Sequence, residues 1–350
     1  MAALAETLTC WHARHGRHQL PWQQQRTPYR VWVSEIMLQQ TQVATVIGYY
    51  RRFMARFPDV QSLADAALDE VLHLWSGLGY YSRARNLKRA AEMIVQNHGG
   101  ELPATRDELV ALPGIGRSTA AAILSLAFGQ PEAILDGNVR RVLSRLFGID
   151  GAPAAPSTLR ALWAQAEACT PAADNASYTQ AIMDFGATLC TRHDPLCVHC
   201  PLQNECVAFA TGRVRELPTP RTHAARRTKA AFMLLATRAD GEVLLQRRPP
   251  EGIWGGLWAP PDFESLEALE HYCGSRLQQA RFEQAEPLPL LKHGFTHFDL
   301  EIAPIRVRCR GLAAVMEGAE TLWYNARQPA RIGLPAPIAT LLSHQVTEIP

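Results

Sequence analysis

Near residue 212 the hydrophobic pattern of this chain changes its period, and that change constrains the fold more than any other feature. Upstream, apolar residues recur at three and four positions, as in Leu63, Ala66, Ala67, Val71, Leu72 and Leu74, the spacing of one helix face. Downstream, residues 231–237, 242–246, 300–307 and 321–324 are short apolar or alternating runs closed by Gly, Pro or Asp, which read as strands. Residues 265–273 and 338–344 read as helices among them. Between the two textures lies GRVRELPTPRTHAARRTK, residues 212–229, basic, Pro-containing and without apolar periodicity. The expectation is a multidomain chain: an all-α domain over 1–211, a linker over 212–228 and an α+β domain over 229–350. At 350 residues the chain is long enough for each part to bury its own core.

No apolar run reaches the roughly 18 residues of a membrane span. The N-terminal MAALAETLTCWHARHGRHQLPW lacks the basic-then-apolar order of a secretory signal, so a cytoplasmic protein is expected. The net charge of +2 decides nothing, because a nucleic-acid binder needs local basic patches. Arg83, Arg85, Lys88 and Arg89 form one such stretch, and Arg140 with Arg141 another. Taken alone, each reads as a solvated helix face.

Eight cysteines in a cytoplasmic chain point to metal or reactivity before disulfides. Cys10, Cys169, Cys273 and Cys309 are scattered and read as structural thiols. Cys190, Cys197, Cys200 and Cys206 fall within 17 positions, with six, two and five residues between successive members. Four thiolates so crowded can converge on one metal centre. Zinc and iron–sulfur both accept four cysteines, and spacing alone leaves the choice open.

Two further motifs carry chemistry. Leu112-Pro113-Gly114-Ile115-Gly116 precedes RSTAAAILSLAF, so one helix ends before Pro113 and two glycines turn the chain into the next. Backbone N–H groups left at that helix start suit a phosphate. Twenty residues after Gly116 stands Asp136, at the N-cap position of an amphipathic helix with Val139, Val142, Leu143 and Leu146 inward. Hydrogen bonds from that helix start would favour its ionised form, which a developing sugar cation requires. Glu35 has Val31, Trp32, Leu38 and Gln39 as helical neighbours, a largely apolar face that should raise its pKa and keep it a proton donor. An acid and a carboxylate so divided are the pair used in glycoside hydrolysis.

Here the chain resembles a known family. The cysteine spacing matches the cluster loop of the endonuclease III superfamily, which implies a [4Fe–4S] centre, and the Gly114–Gly116 turn resembles the helix-hairpin-helix of DNA repair glycosylases. LPWQ at 20–23, SEIMLQQTQV at 34–43, GLGYYSRARNL at 77–87, LPGIGRSTA at 112–120 and LDGNV at 135–139 look like motifs of the MutY family of adenine DNA glycosylases, in MutY order. The resemblance implies a helix-hairpin-helix glycosylase domain, with a six-helix part near 21–130 and a cluster part near 1–20 and 131–211. By that similarity Glu35 protonates adenine, Asp136 acts at C1′, and Trp22, Gln180 and Ser118 belong to the adenine pocket. Gln39, Gln40, Leu78 and Tyr80 meet or wedge the base stack, and Gly114, Gly116 and Arg140 contact DNA. The implied partner is duplex DNA carrying adenine opposite 8-oxoguanine or guanine, bound by a monomer; protein partners cannot be read.

Ser118 sets the subclass. Endonuclease III places a Schiff-base lysine just after its hairpin turn, and here the position holds serine, so base removal without efficient β-elimination is expected. Residues 229–345 resemble the Nudix fold of MutT-like proteins, notably LLQRRPPEGIWGGLWAPP at 244–261. The carboxylate-rich REXXEEXG core that would hold magnesium is replaced by PDFESLEALEHYCG, so a reader is expected rather than a hydrolase. Phe295-Thr296-His297 looks like the Phe-Ser-His loop by which this family recognises 8-oxoguanine, with Thr in place of Ser. Two other readings compete: an endonuclease III-like glycosylase/lyase for oxidised pyrimidines, and a non-catalytic, cluster-braced DNA-binding module.

Overall fold

The computed structural model of the chain describes residues 2–220, 226–277, 285–295, 297–309 and 320–347. Contacts divide it into two units, one of residues Met1–Asp65 with Asn86–His223, the other of Ala66–Arg85 with Ala224–Pro350. The helices in chain order are α1 (Ala2–His15), α2 (Pro28–Leu38), α3 (Val43–Arg56), α4 (Val60–Asp65), α5 (Leu68–Trp75), α6 (Ser82–His98), α7 (Arg106–Ala111) and α8 (Arg117–Phe128). There follow α9 (Gly137–Leu146), α10 (Pro156–Cys169), α11 (Asn175–Thr188) and α12 (Val207–Ala210). The periodic run through Leu63 and Leu74 is thus two short helices, broken at Ala66 and Ala67, with α5 assigned to the second unit.

In the first unit α11 packs on α1, α8 and α9, and α2 packs on α3 and α8. The alanines of α8 make this possible: Ala120, Ala121 and Ala122 are buried, so neighbouring backbones approach closely. The core joins Leu8 of α1, Ile134 and Leu135, Val139 and Leu143 of α9, and Ala181 and Phe185 of α11. Each fully buried Leu or Phe contributes about 1.5–3 kcal/mol of transfer free energy. Leu217, inside the stretch read as a linker, is buried too, and Arg145 donates to the carbonyls of Val214 (3.1 Å) and Leu217 (2.9 Å). The first half of that stretch is therefore pinned to the helical unit.

The second unit is built on a sheet of β1 (Arg227–Thr237), β2 (Val243–Arg247), β3 (Trp258–Ala259), β4 (Asp262–Phe263), β5 (Glu286–Pro287), β6 (Leu291–Gly294), β7 (Phe298–Arg308) and β8 (Thr321–Tyr324). Strand order is β3-β2-β1-β7-β5, with β4 on β1, β6 on β7 and β8 on β2. The long β1 and β7 run parallel, from Arg227 against Phe298 to Thr237 against Arg308. Helices α13 (Leu266–Arg276) and α14 (Ala336–Thr347) complete it, Leu269 and Cys273 of α13 packing with Leu234, Leu244 and Val307. The four runs expected as strands are strands; β3, β4 and β5, of two residues each, are too short to carry a pattern, and β6 is not among the expected runs.

Candidate active site

A cavity of about 480 Å³ opens in the helical unit, and Glu35 and Asp136 both line it. Glu35 stands on α2, which starts at Thr27, whose hydroxyl accepts from the Arg30 N–H at 3.2 Å, with Pro28 at the first helical position. Its neighbours Val31, Trp32 and Ser34 are buried. Burial, and then the charge of Asp136, push the Glu35 carboxyl up to about 8. Glu35 is partly exposed and lines the cavity, while its neighbours along α2 are buried.

Asp136 caps α9. One carboxylate oxygen accepts from the Val139 N–H at 2.7 Å, the other from the Asn138 side-chain amide at 3.1 Å. Burial nonetheless raises its pKa, against the pull of those bonds and of Arg141. The cap bonds do favour the ionised form, as expected of that position, but desolvation is the larger effect. The pair stays unequal, because both influences on Glu35 favour the proton while several on Asp136 oppose it.

Trp22, Gln39, Gln40, Ser118, Arg140 and Gln180 also line the cavity. Trp22 sits in the short turn Pro21–Gln23, closed by the Gln23 side chain accepting from the Leu20 N–H at 3.2 Å, and meets Tyr50 edge to face. The Gln39 side-chain amide donates to the Thr119 hydroxyl at 3.4 Å. Ser118 accepts from the Leu135 N–H at 3.3 Å, holding the segment that ends in Asp136. The Nε of Arg140 is buried without a hydrogen-bond partner among the described residues.

Behind Gln180 lies a network that sequence reasoning missed. Asp184 is fully buried and accepts from the Gln180 amide (3.3 Å), the Arg17 backbone N–H (2.9 Å) and guanidinium Nε (3.0 Å), and pairs with His12 at 3.1 Å. Burial alone would raise its carboxyl, but the His12 and Arg17 bonds together outweigh it and hold it low. Arg26 donates to Gln180 at 3.4 Å and lines the same cavity. These residues belong to no short motif, so only their shared location could reveal them.

Outside the cavity, the turn before α8 needs only one of its two glycines. Gly114 has φ +82°, and a Cβ there would stand 3.0 Å from the Asn86 Cβ. Gly116 is extended at φ −94°, a Cβ there would meet nothing within 4 Å, and no side chain caps α8.

The four clustered cysteines line one small pocket with Arg145, Leu189, Pro195 and Phe209. Among the described residues, no three His, Cys, Asp or Glu side chains are gathered as for a single bound ion. Burial, then mutual repulsion, raises Cys197; burial lifts Cys200 to about 11 and raises Cys206. Arg145, buried, donates to the Cys190 sulfur at 3.4 Å and to the Thr191 carbonyl at 2.6 Å. Four thiols on one largely apolar pocket, beside a guanidinium, suit a group that holds them as thiolates.

In the second unit, residues 77–81 form a tight loop with left-handed backbone at Gly77, Gly79 and Tyr80. Arg83, buried, donates to the carbonyls of Leu78 (3.3 Å) and Gly79 (3.0 Å), and lies over the Trp75 ring. Arg85 donates to the Gly255 carbonyl, and in the helical unit Lys88 donates to the Ala64 carbonyl at 2.6 Å. The basic stretch read as a solvated helix face is thus largely spent on internal contacts. Leu78 is buried, whereas Tyr80 is 45% exposed. The β6–β7 hairpin closes with the Phe295 N–H donating to the Phe298 carbonyl at 2.8 Å; Phe295 stacks on Phe298, and His297 is exposed at the tip. Thr296 lies outside the described residues.

Comparison with known proteins fits this geometry. The family model described as HhH-GPD superfamily base excision DNA repair protein matches residues 33–167, and a NUDIX domain model matches residues 232–344. The adenine DNA glycosylase of Buchnera aphidicola is 36% identical over 340 residues, covering 97% of this chain and 95% of that protein. That of Mus musculus is 36% identical over 359 residues, covering 86% and 69% respectively. A solved structure of a thermostable thymine-DNA glycosylase superposes with a TM-score of 0.55 at 28% identity, over 60% of this chain and 96% of that one. The helical unit, with its acid pair beside a Gly-turned helix start, is therefore that of an HhH-GPD base excision repair glycosylase. Within that class, the chain belongs to the MutY family of adenine DNA glycosylases, a Nudix-like domain following the helical one. Among the described residues no helix is long and apolar enough to cross a membrane.

Proposed function

We propose that the chain hydrolyses the N-glycosidic bond of adenine mispaired with 8-oxoguanine, or with guanine, in duplex DNA, and leaves an abasic site without cutting the strand. The observation that carries this reading is the pairing of Glu35 and Asp136 on one cavity, with Glu35 raised to about 8. Glu35 gives its proton to the departing base, which takes the electrons of the C1′–N bond. Asp136 faces the cationic sugar, and water adds its hydroxyl at C1′ while its other proton restores Glu35. A cavity of about 480 Å³ is of a size to take a flipped base. Trp22 and Gln180, backed by Arg26 and Asp184, read it there, and Ser118 fills the wall near Asp136. Without a lysine at that position the covalent lyase route lacks its amine.

The rest of the DNA contact is assigned by the same reading. Gly116 and the uncapped start of α8 take a backbone phosphate after the Gly114 turn, and Arg140 another. Gln39 and Gln40 line the approach, and Tyr80 is the wedge already presented to solvent; insertion of Leu78 requires its loop to move. Residues 1–211 are the catalytic domain, and 229–350 a reader of the opposite base through Phe295, Thr296 and His297. Cys190, Cys197, Cys200 and Cys206 would hold a [4Fe–4S] cluster, which would brace the loop between them. The protein acts as a monomer in the cytoplasm.

The test is chromatographic detection of free adenine from a duplex with one adenine opposite 8-oxoguanine, with borohydride added in parallel. Wild type releases adenine and Glu35→Gln and Asp136→Asn do not, with no trapped protein–DNA adduct. Wild-type rates in either variant, or a stoichiometric adduct, would overturn the mechanism.

A further inference from the structure

The family model for the helical domain runs through residues 66–85, yet the contacts of that segment group it with the C-terminal unit. Asp69, in the first turn of α5, is the centre of the attachment. One carboxylate oxygen accepts from the Arg247 guanidinium, the other from the Trp258 indole N–H at 3.0 Å. The two donors are cross-strand partners on β2 and β3, and the guanidinium lies over the indole, 4.9 Å from a ring centroid. Both donors are thus held by each other as well as by Asp69, and two bonds to one carboxylate, one of them charge-assisted, define one position.

Three more bonds tie the same segment to the C-terminal part, and a fourth closes it on itself. The Tyr81 hydroxyl donates to the Leu334 carbonyl at 3.2 Å while accepting from the Gly77 N–H at 3.1 Å. Ser76 Oγ accepts from the Leu334 N–H at 3.3 Å, and Arg85 reaches the Gly255 carbonyl. Inside the loop Arg83 holds the carbonyls of residues 78 and 79, so residues 77–81 are stiff from within as well as anchored.

We propose that Asp69 is a positioning residue that locks the 77–81 loop to the Nudix-like sheet. The exposed Tyr80 and the His297 hairpin tip then travel as one body, and base-stack entry is coupled to reading of the opposite base. This rests on the proposed DNA roles of Tyr80 and His297. Asp69 and Arg247 are partly exposed, at 24% and 30%, so their pair adds little to global stability and its loss leaves a folded protein.

The experiment uses the full chain with Asp69→Ala, Arg247→Lys as the conservative variant, His297→Ala, and the Asp69→Ala/His297→Ala double variant. Hydrogen exchange without DNA tests the lock: amides of residues 76–82 should exchange about tenfold faster in Asp69→Ala and near the wild-type rate in Arg247→Lys. Unchanged exchange would overturn the lock. Single-turnover excision opposite 8-oxoguanine and opposite guanine tests the coupling. The rate ratio should fall several-fold in Asp69→Ala and no further in the double variant than in His297→Ala. Equal loss of both rates would make Asp69 merely structural and overturn the coupling. Should His297→Ala itself keep the wild-type ratio, the role of His297 fails, and the coupling with it, while the exchange result still decides the lock.

Discussion

Replacing Glu35 by Gln removes the proton that departing adenine needs, and also removes a carboxyl group that folding forces to stay protonated. Its ordinary value is 4.5, and burial followed by the charge of Asp136 moves it to about 8. Between those values the folded protein keeps a proton that the unfolded chain has lost. Wild-type stability therefore falls as pH rises through that window and levels off above about 8. Taken whole, the shift corresponds to about 5 kcal/mol. The cavity side of Glu35 meets water, so about half of that, roughly 2 kcal/mol, is the working figure. Gln carries no such proton. Glu35→Gln should match wild type below the ordinary value, where Glu is protonated in both states, and exceed it by about 2 kcal/mol above pH 8. In the same variant adenine excision should drop at least about a hundredfold. Wild-type excision should fall about tenfold per pH unit once Glu35 ionises above about 8. Denaturant unfolding and single-turnover rates of both proteins across that range make the assay. Parallel stability curves, or a wild-type rate that stays flat across pH 8, would refute the assignment of Glu35 as a desolvated acid.

Other expectations separate folding from binding. Gly114→Ala, at φ +82° and against Asn86, should cost about 1–2 kcal/mol in unfolding experiments, whereas Gly116→Ala should leave stability nearly unchanged and weaken duplex binding in a titration. Asp184→Asn should cost about 3 kcal/mol or more, because Arg17 and His12 lose a fully buried partner, and should slow excision through Gln180; the loss should be smaller in acid, as the carboxylate pairing fades once pH falls through its lowered pKa. Cys200→Ser should abolish the visible absorption of the purified protein and reduce its iron content, with a lower melting temperature; a colourless, zinc-containing wild type would contradict the cluster assignment.

The residues readable in advance were those whose chemistry is tied to local spacing. Asp136 announces a cap before an amphipathic helix, Glu35 lies on an apolar face of α2, and the four cysteines crowd into one loop; the structure sets the first two on one cavity and the last four on another. Asp184 and Arg26 were invisible because a lone charge carries no period: its partner lies far along the chain, as His12 does for Asp184, 172 positions away. The pinning of Leu217 under Arg145 was hidden for the same reason, since a stretch without periodicity can still be held by its backbone carbonyls. Gly116 shows the converse error. It looks like a turn glycine, yet its backbone is ordinary and a Cβ there would meet nothing within 4 Å, so the fold itself does not require it. The attachment of α5 to the sheet depends on Asp69 finding Arg247 and Trp258, long-range pairings that a sequence motif cannot carry.

The central claim is hydrolytic removal of adenine opposite 8-oxoguanine, and a single-turnover incubation with such a duplex, divided between hot-alkali and neutral work-up, tests it most directly. Strand breakage at the adenine only after alkali is the predicted result, since it reports an abasic site made without a lyase step. Breakage under neutral work-up, in protein free of contaminating nuclease, would mean that another amine does what the absent lysine would. Intact strands under both work-ups, with tight binding retained, would contradict the account and leave a recognition module.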